Sequence, residues 1–359
     1  MGGRSPHKIA LLTGAKMRIG VLTGGGDAPG LNAAIRAVAR RCFDVDDEPV
    51  GIRNGWAGLL GQGDFRPLAP HDVSGILHLG GTILGTSRTN PLKNPAQIDE
   101  VIENVRRERL DAIVVIGGDD TLSVACGLED RGLRFVGVPK TVDNDIAETD
   151  YCIGFDSAVS VVVEALDRLH TTASAHHRVL VAEVMGRDAG WVAVAGGLAG
   201  GADFILIPEV PPDLDEVCAH LERRTAQGKD FSIIVVAEGV VMPELVSKEA
   251  IREVDAFGHA RLDRRGVGET LSRIIEDRTG METRVTVLGH VQRGGSPSAF
   301  DRLWATRLGV AAVDLVHEGT FGVLVAVQGN RIQPVPVADT MGRMKTVDLA
   351  LYELARVFY

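Results

Sequence analysis

The hydrophobic positions of this chain fall into short runs, each closed by a glycine-rich or charged turn and followed by a segment with helical spacing. IGVLTGGGD at 19–27 leads into LNAAIRAVARRC, DAIVVIGGDD at 111–120 into TLSVACGLED, and RFVGVPKTVDND at 134–145 toward SAVSVVVEALDRLH. RVLVAEVMGRDAG (178–190), FSIIVVAEG (231–239) and RVTVLGHVQRGG (284–295) repeat the form. A strand buried on both faces needs such a run of apolar, largely β-branched residues, and alternation with helices predicts parallel βαβ units. In these units the loops that follow the strands share one sheet edge, where ligands bind. The residues just past each strand are therefore the informative ones.

The units form two groups, which predicts an α/β protein of two Rossmann-like three-layer lobes with mostly parallel sheets. One lobe spans 17–154 and is completed by 292–342; the other spans 155–291 and is completed by 343–359. Residues 1–16, MGGRSPHKIALLTGAK, read as an N-terminal extension before the strand that Met17 opens. Residues 240–268 lack a clean period and read as an insertion loop.

Composition narrows the function. The 359 residues carry 48 acidic and 38 basic side chains, a net charge of −10, and aromatics are 4%. An acidic chain with few stacking rings is poorly suited to nucleic acid. No apolar run reaches the ~18 residues of a membrane span. Cys42, Cys126, Cys152 and Cys218 have neither zinc-site nor CxxC spacing, so reduced thiols in the cytoplasm are expected. His170, His176 and His177 lack the partners of a metal site. The 43 glycines lack a collagen period and must serve turns and close backbone approach.

The strand-end turns carry the candidate chemistry. Gly24, Gly25, Gly26 and Asp27 stand between a strand and a helix, where bare backbone lets an anion approach N–H groups. They equally make an ordinary βα turn with Asp27 as a cap. GGDDT (117–121) adds two adjacent carboxylates; beside a phosphate these need a cation between, and Mg²⁺ takes one or two carboxylates plus phosphate oxygens. Asp119 is the preferred holder, and a helix N-cap pair is the plain alternative. PKTVDND (139–145) is the most specific stretch. Pro139 keeps Val138 extended, Lys140 offers a point charge and Thr141 a hydroxyl. An extended segment would point Asp143 and Asp145 the same way, and a phosphoryl acceptor needs one carboxylate base. Arg88, Arg187 and Arg293 lie in strand-end loops, whereas Arg178 and Arg284 begin strands at the opposite edge. A guanidinium fork matches phosphate oxygens, although any single arginine is as readily a surface ion pair.

Together, GGGDAPGLNAAIR, GGTILGTSR, IGGDDT, PKTVDNDI, GFDSA, EVMGRDAGW, AEG and RVTVLGHVQRGGSPSAFDR resemble the phosphofructokinase family in order and spacing, from about 19 to 340. The resemblance implies the phosphofructokinase fold, with the first lobe binding the donor and the second fructose 6-phosphate. It implies reversible, Mg²⁺-dependent phosphoryl transfer to O1 of that sugar, giving fructose 1,6-bisphosphate. Asp143 corresponds to the catalytic base and Asp119 to the Mg²⁺ site. Gly25 and Arg88 correspond to donor contacts. Thr141, Val142, Met185, Gly186, Arg187, Glu238, His290, Val291, Gln292 and Arg293 correspond to sugar-phosphate contacts, with Arg187 also among the catalytic group. Arg178 and Arg284 would reach a neighbouring subunit's site, which implies a homodimer or homotetramer.

Two positions bear on the donor. The family's ATP-users carry Gly where this chain has Asp120, whose carboxylate fills and repels the place of the α-phosphate. Lys140 neutralises a leaving phosphate that has no adenosine to anchor it. The pair resembles the pyrophosphate-dependent branch; the alternative is an ATP-dependent 6-phosphofructokinase, since some ATP-using relatives keep the lysine. Trp56 stands where ATP-users place an adenine-stacking aromatic. Leu79 and His170 replace two effector-binding arginines, which implies an enzyme without allosteric control. A lipid or NAD kinase would lack the MGR and GHVQRGG anchors, and a sugar-phosphate-binding protein would not need the PKTVDND base.

Overall fold

The computed structural model describes residues 16–245 and 265–359. Apart from Lys16, the expected extension lies outside the described residues, as do residues 246–264 of the expected insertion loop. In chain order the elements are β1 (Arg18–Thr23), α1 (Leu31–Asp44), β2 (Glu48–Ile52), β3 (Phe65–Pro67), α2 (Pro95–Arg107), β4 (Ala112–Gly117), α3 (Asp119–Glu129), β5 (Phe135–Pro139), α4 (Phe155–His176) and β6 (Val179–Val184). Then follow α5 (Trp191–Ala199), β7 (Phe204–Leu206), α6 (Leu214–Ala226), β8 (Ser232–Ala237), α7 (Val267–Thr279), β9 (Thr283–Val287), α8 (Ala299–His317), β10 (Val323–Gln328), β11 (Arg331–Pro336) and α9 (Leu349–Arg356).

Two sheets form. The first has the order β11-β10-β5-β4-β1-β2-β3 and the second β7-β8-β6-β9. All pairings are parallel except β2–β3 and β10–β11 at the edges of the first sheet. Alternation along the central strands packs both faces of the first sheet: Ile19, Val21, Val114 and Ile116 join α1 and α8 on one side. Leu22, Ile113 and Val115 join α2 and α3 on the other. The second sheet has its own core with α4, α5, α6 and α7.

Register sets the site. Thr23 pairs with Ile116 and Gly117 with Pro139, so the turns after β1, β4 and β5 leave the first sheet side by side. Val184 pairs with Ala237, and Glu183 with Val287, so the turns after β6, β8 and β9 do the same on the second. The chain crosses between the sheets at α4. Asp301 of α8 seals that crossing by accepting from Gly154 N and Ser157 N, each at 2.8 Å, at the start of α4.

Candidate active site

On the first sheet, the glycine turn after β1 is stitched to the segment that leads to Arg88. Gly25 N donates to Ser87 O at 3.1 Å and Thr86 Oγ1 to Gly25 O at 2.6 Å. Gly24 N donates to Ile116 O at 3.0 Å. The amides of Gly24 and Gly25 are thus committed to carbonyls, contrary to the expectation that they face an anion. Asp27 is not a helix cap either, because Gly30 precedes α1 and no side chain caps it. The charge at the turn comes from Lys140. Its buried ammonium donates to Gly24 O at 2.9 Å and Gly26 O at 2.5 Å. Burial, then the nearby Arg293 charge, push its pKa down to about 8, against the pull of Asp143 and Asp27. Asp119 and Asp120 occupy the first turn of α3, after Gly118, where the helix dipole favours carboxylates.

The segment after β5 departs from the extended shape expected of it. Asp143 N donates to Thr141 Oγ1 at 3.1 Å, that hydroxyl donates to Asp143 Oδ2 at 3.2 Å, and Asn144 has φ 53°. The chain turns here because the Thr141 side chain offers the backbone a local acceptor and Asn tolerates the left-handed region. Asp143 and Asp145 are therefore brought together by a turn rather than a pleat. Asp143 is 3% exposed, and its Oδ1 has no partner among the described residues. Burial and the Asp143 charge raise the Asp145 pKa, with Arg187 opposing and Asp119 adding to it. Asp145 was legible only as a companion to Asp143; its place inside the motif was the available signal. The Val142 side chain is buried with Ala28 and Ala158.

On the second sheet, Arg187 N donates to Glu238 Oε1 at 3.2 Å, joining the turns after β6 and β8. The fit is tight: a Cβ at Gly239 would lie 1.8 Å from the Arg187 carbonyl oxygen. Gly186 has φ 144°, which glycine adopts freely, and Arg187 has φ 53°, a left-handed conformation that its surroundings hold. Burial, then the Asp143 charge, push Glu238 up to about 7, against N–H groups from Arg187 and Gly186. That coupling shows the two sheet edges meeting. Gln292 is fully buried, accepts from Met185 N at 3.3 Å and donates to Gly289 O at 3.1 Å, so its side chain supports both loops. His290 and Val291 are exposed on the 3-10 turn Gly289–Arg293. Arg293 crosses to the first sheet, where Nη1 donates to Asp27 O at 3.0 Å.

Lys140, Asp143, Asp145, Arg187, Glu238 and Arg293 therefore share one junction, with Asp119 close enough to act on Asp145. Arg178 and Arg284 do not join them. They sit where their strands begin and pair with Glu282, Arg178 at 2.9 Å. Trp56 is 1% exposed and its indole N–H donates to Thr121 O at 3.1 Å, so its ring is core and offers no free face for stacking. Leu79 is 44% exposed, and His170 Nε2 is 2.9 Å from Gly200 O. Among the described residues no group of three or more His, Cys, Asp or Glu could hold a metal by itself. Mg²⁺ shared with phosphate oxygens needs only one or two carboxylates, and Asp119, close enough to act on the buried Asp145, supplies hard oxygen of that kind. No helix among the described residues is long and apolar enough to cross a membrane.

Two lobes with mostly parallel sheets, meeting at one charged junction, define a two-lobed α/β protein. The phosphofructokinase family model matches residues 18–316, and the chain belongs to that family. A Streptomyces coelicolor protein named pyrophosphate–fructose 6-phosphate 1-phosphotransferase is 54% identical, over 96% of this chain and all of its own. A second protein of that organism, ATP-dependent 6-phosphofructokinase 3, is 49% identical over 94% of this chain and 98% of its own. The solved phosphofructokinase of Saccharomyces cerevisiae superposes with a TM-score of 0.80 at 33% identity, covering 96% of this chain and 47% of that longer one.

Proposed function

We propose that this protein reversibly transfers a phosphoryl group from pyrophosphate to O1 of fructose 6-phosphate, giving fructose 1,6-bisphosphate and orthophosphate. The donor assignment is carried by two residues taken together: Lys140, whose ammonium lies in the glycine turn, and Asp120, in the first turn of α3. A buried cation there stabilises a leaving phosphate that carries no nucleoside. The carboxylate of Asp120 opposes a third phosphate. The buried ring of Trp56 gives adenine nothing to stack on. A relative 54% identical bears the pyrophosphate name.

In this reading the lobe of 17–154 and 292–342 binds the donor, and that of 155–291 and 343–359 the sugar. Asp143 accepts the proton of the 1-hydroxyl through its unpartnered Oδ1, while Thr141 holds the other oxygen. Arg88 aligns the donor, and Gly25, its amide held by Ser87 O, shapes the turn beside it without donating to the phosphates. Thr141, Arg187, Glu238, His290 and Arg293 hold the sugar phosphate, and the backbone of Val142, Met185, Gly186 and Val291 shapes its seat, backed by Gln292. Mg²⁺ bound at Asp119 would neutralise charge on the transferring phosphate. Arg178 and Arg284, which pair with Glu282 where their strands begin and away from this site, serve a second copy's site in a homodimer or homotetramer. The enzyme is cytoplasmic and free of allosteric control, with Leu79 and the carbonyl-bound His170 in place of effector cations.

The second reading, ATP as donor, is favoured by the relative 49% identical that bears the ATP-dependent name. Turnover of fructose 6-phosphate with each donor separates the two.

A further inference from the structure

The chain returns from the first sheet to the second through a short strap ahead of α9, and one residue of it uses all its polar groups to tie two loops together. Lys345 N donates to Asp145 O at 2.8 Å. Its ammonium donates to Thr149 O at 2.8 Å and Asp150 O at 2.9 Å, and stands 5.1 Å over the ring of Trp191. Its carbonyl accepts the Trp191 indole N–H at 2.8 Å. Met344 forms an antiparallel bridge with Ile146. Two residues on, Val347 N donates to Glu209 Oε1 at 3.0 Å, and both oxygens of Glu209 accept Gly190 N at 2.9 and 3.0 Å.

The places these contacts reach are specific. Asp145 is two residues past Asp143. Gly190 and Trp191 close the loop that carries Gly186 and Arg187 and open α5. The acceptor-base segment hangs from β5 and the sugar loop from β6, in different sheets. The strap is bonded directly to both. Burial lowers the Lys345 pKa, with Cys152, Asp150 and Asp145 acting the other way. A half-buried ammonium with two carbonyls and a ring face is a specific anchor rather than a solvated surface lysine.

We infer that Lys345 is a positioning residue for phosphoryl transfer, setting the separation of the Asp143–Asp145 segment from the Gly186–Arg187 loop. The inference rests on the phosphofructokinase reading of the site but not on the choice of donor. Each loop keeps its own strand, so losing the strap leaves each substrate's binding intact and spoils their alignment. A misplacement of about 1 Å in reacting groups is enough to cost about 100-fold in rate.

Lys345→Met, assayed with whichever donor the wild type uses, is expected to lower kcat about 10- to 100-fold while both KM values stay within about threefold. Lys345→Arg, which can still reach the carbonyls, is expected to recover most of that loss. A folded Lys345→Met protein with wild-type kcat overturns the inference, as does a rise in KM with kcat unchanged. Hydrogen exchange provides a readout independent of activity and donor. Segments 143–150 and 185–191 are expected to lose protection together in Lys345→Met while β5 and β6 keep theirs; protection lost in only one segment, or in neither, contradicts the coupling. Should Lys345→Met fail to fold, Trp191→Phe removes only the indole donor. It is expected to lower kcat about threefold or more without changing KM, and wild-type kcat in that variant is equally contradictory.

Discussion

The Lys140 ammonium lies 2.5 Å from the Gly26 carbonyl oxygen, a contact that spans 114 positions of sequence and brings β5 to the glycine turn after β1. A cation so placed is dry, and its pKa falls to about 8. It is charged below that value and neutral above it. The kcat/KM for the donor is expected to decline as pH rises through about 8, since kcat/KM reports the free enzyme. Lys140→Arg should carry activity to higher pH, and Lys140→Met should lose about 10²–10³ in donor kcat/KM. Parallel pH profiles of wild type and Lys140→Arg check this; identical alkaline limbs would sink it.

Asp143→Asn removes the base and leaves a side chain of the same shape. Its kcat should fall by about 10²–10⁴. Calorimetric affinity for fructose 6-phosphate should stay within a few-fold, because the phosphate is held elsewhere. Equal loss of both would turn Asp143 into a binding group.

Glu238 provides a test in the absence of substrate. Its carboxyl is raised from 4.5 to about 7, so between those values the folded state binds the proton more tightly than the unfolded state. Stability of the ligand-free protein therefore decreases as pH rises through that window, and the deficit persists above it. Glu238→Gln keeps an acceptor for Arg187 N and cannot ionise. Its Tm should match wild type below pH 4.5 and exceed it at pH 8. A difference that stays flat across pH would contradict the sign.

Asp120→Gly probes donor choice directly. Removing the carboxylate should lower the KM for ATP by about tenfold or more, with little change for the sugar. Unchanged ATP kinetics would show that neither its charge nor its bulk excludes the nucleotide.

Strands β1, β4, β5, β6, β8 and β9 were legible from their runs of apolar, largely β-branched residues, and the strand-end rule then marked Lys140, Asp143, Arg187 and Arg293 from their positions; β2, β7 and β10 were not picked out. Nor were the edge strands β3 and β11. FRP has three residues and RIQPVP is interrupted by prolines, and both are mostly exposed, so they carry no buried run to read. The turn at Thr141–Asn144 escaped because a side-chain hydroxyl, not the apolar pattern, sets its backbone. Lys345 escaped for a different reason: it follows no strand and lies in no motif, and its partners at 145–150 and 191 meet it only through the tertiary fold. The same holds for Trp56, whose residue type fits a stacking platform and whose burial excludes one.

Donor choice is tested by one comparison. Purified protein is assayed with saturating fructose 6-phosphate and Mg²⁺, with pyrophosphate or ATP as the varied donor, and the two kcat/KM values are set side by side. Fructose 1,6-bisphosphate is expected to form with pyrophosphate at a kcat/KM about 100-fold or more above that with ATP. Turnover with ATP and none with pyrophosphate would contradict it.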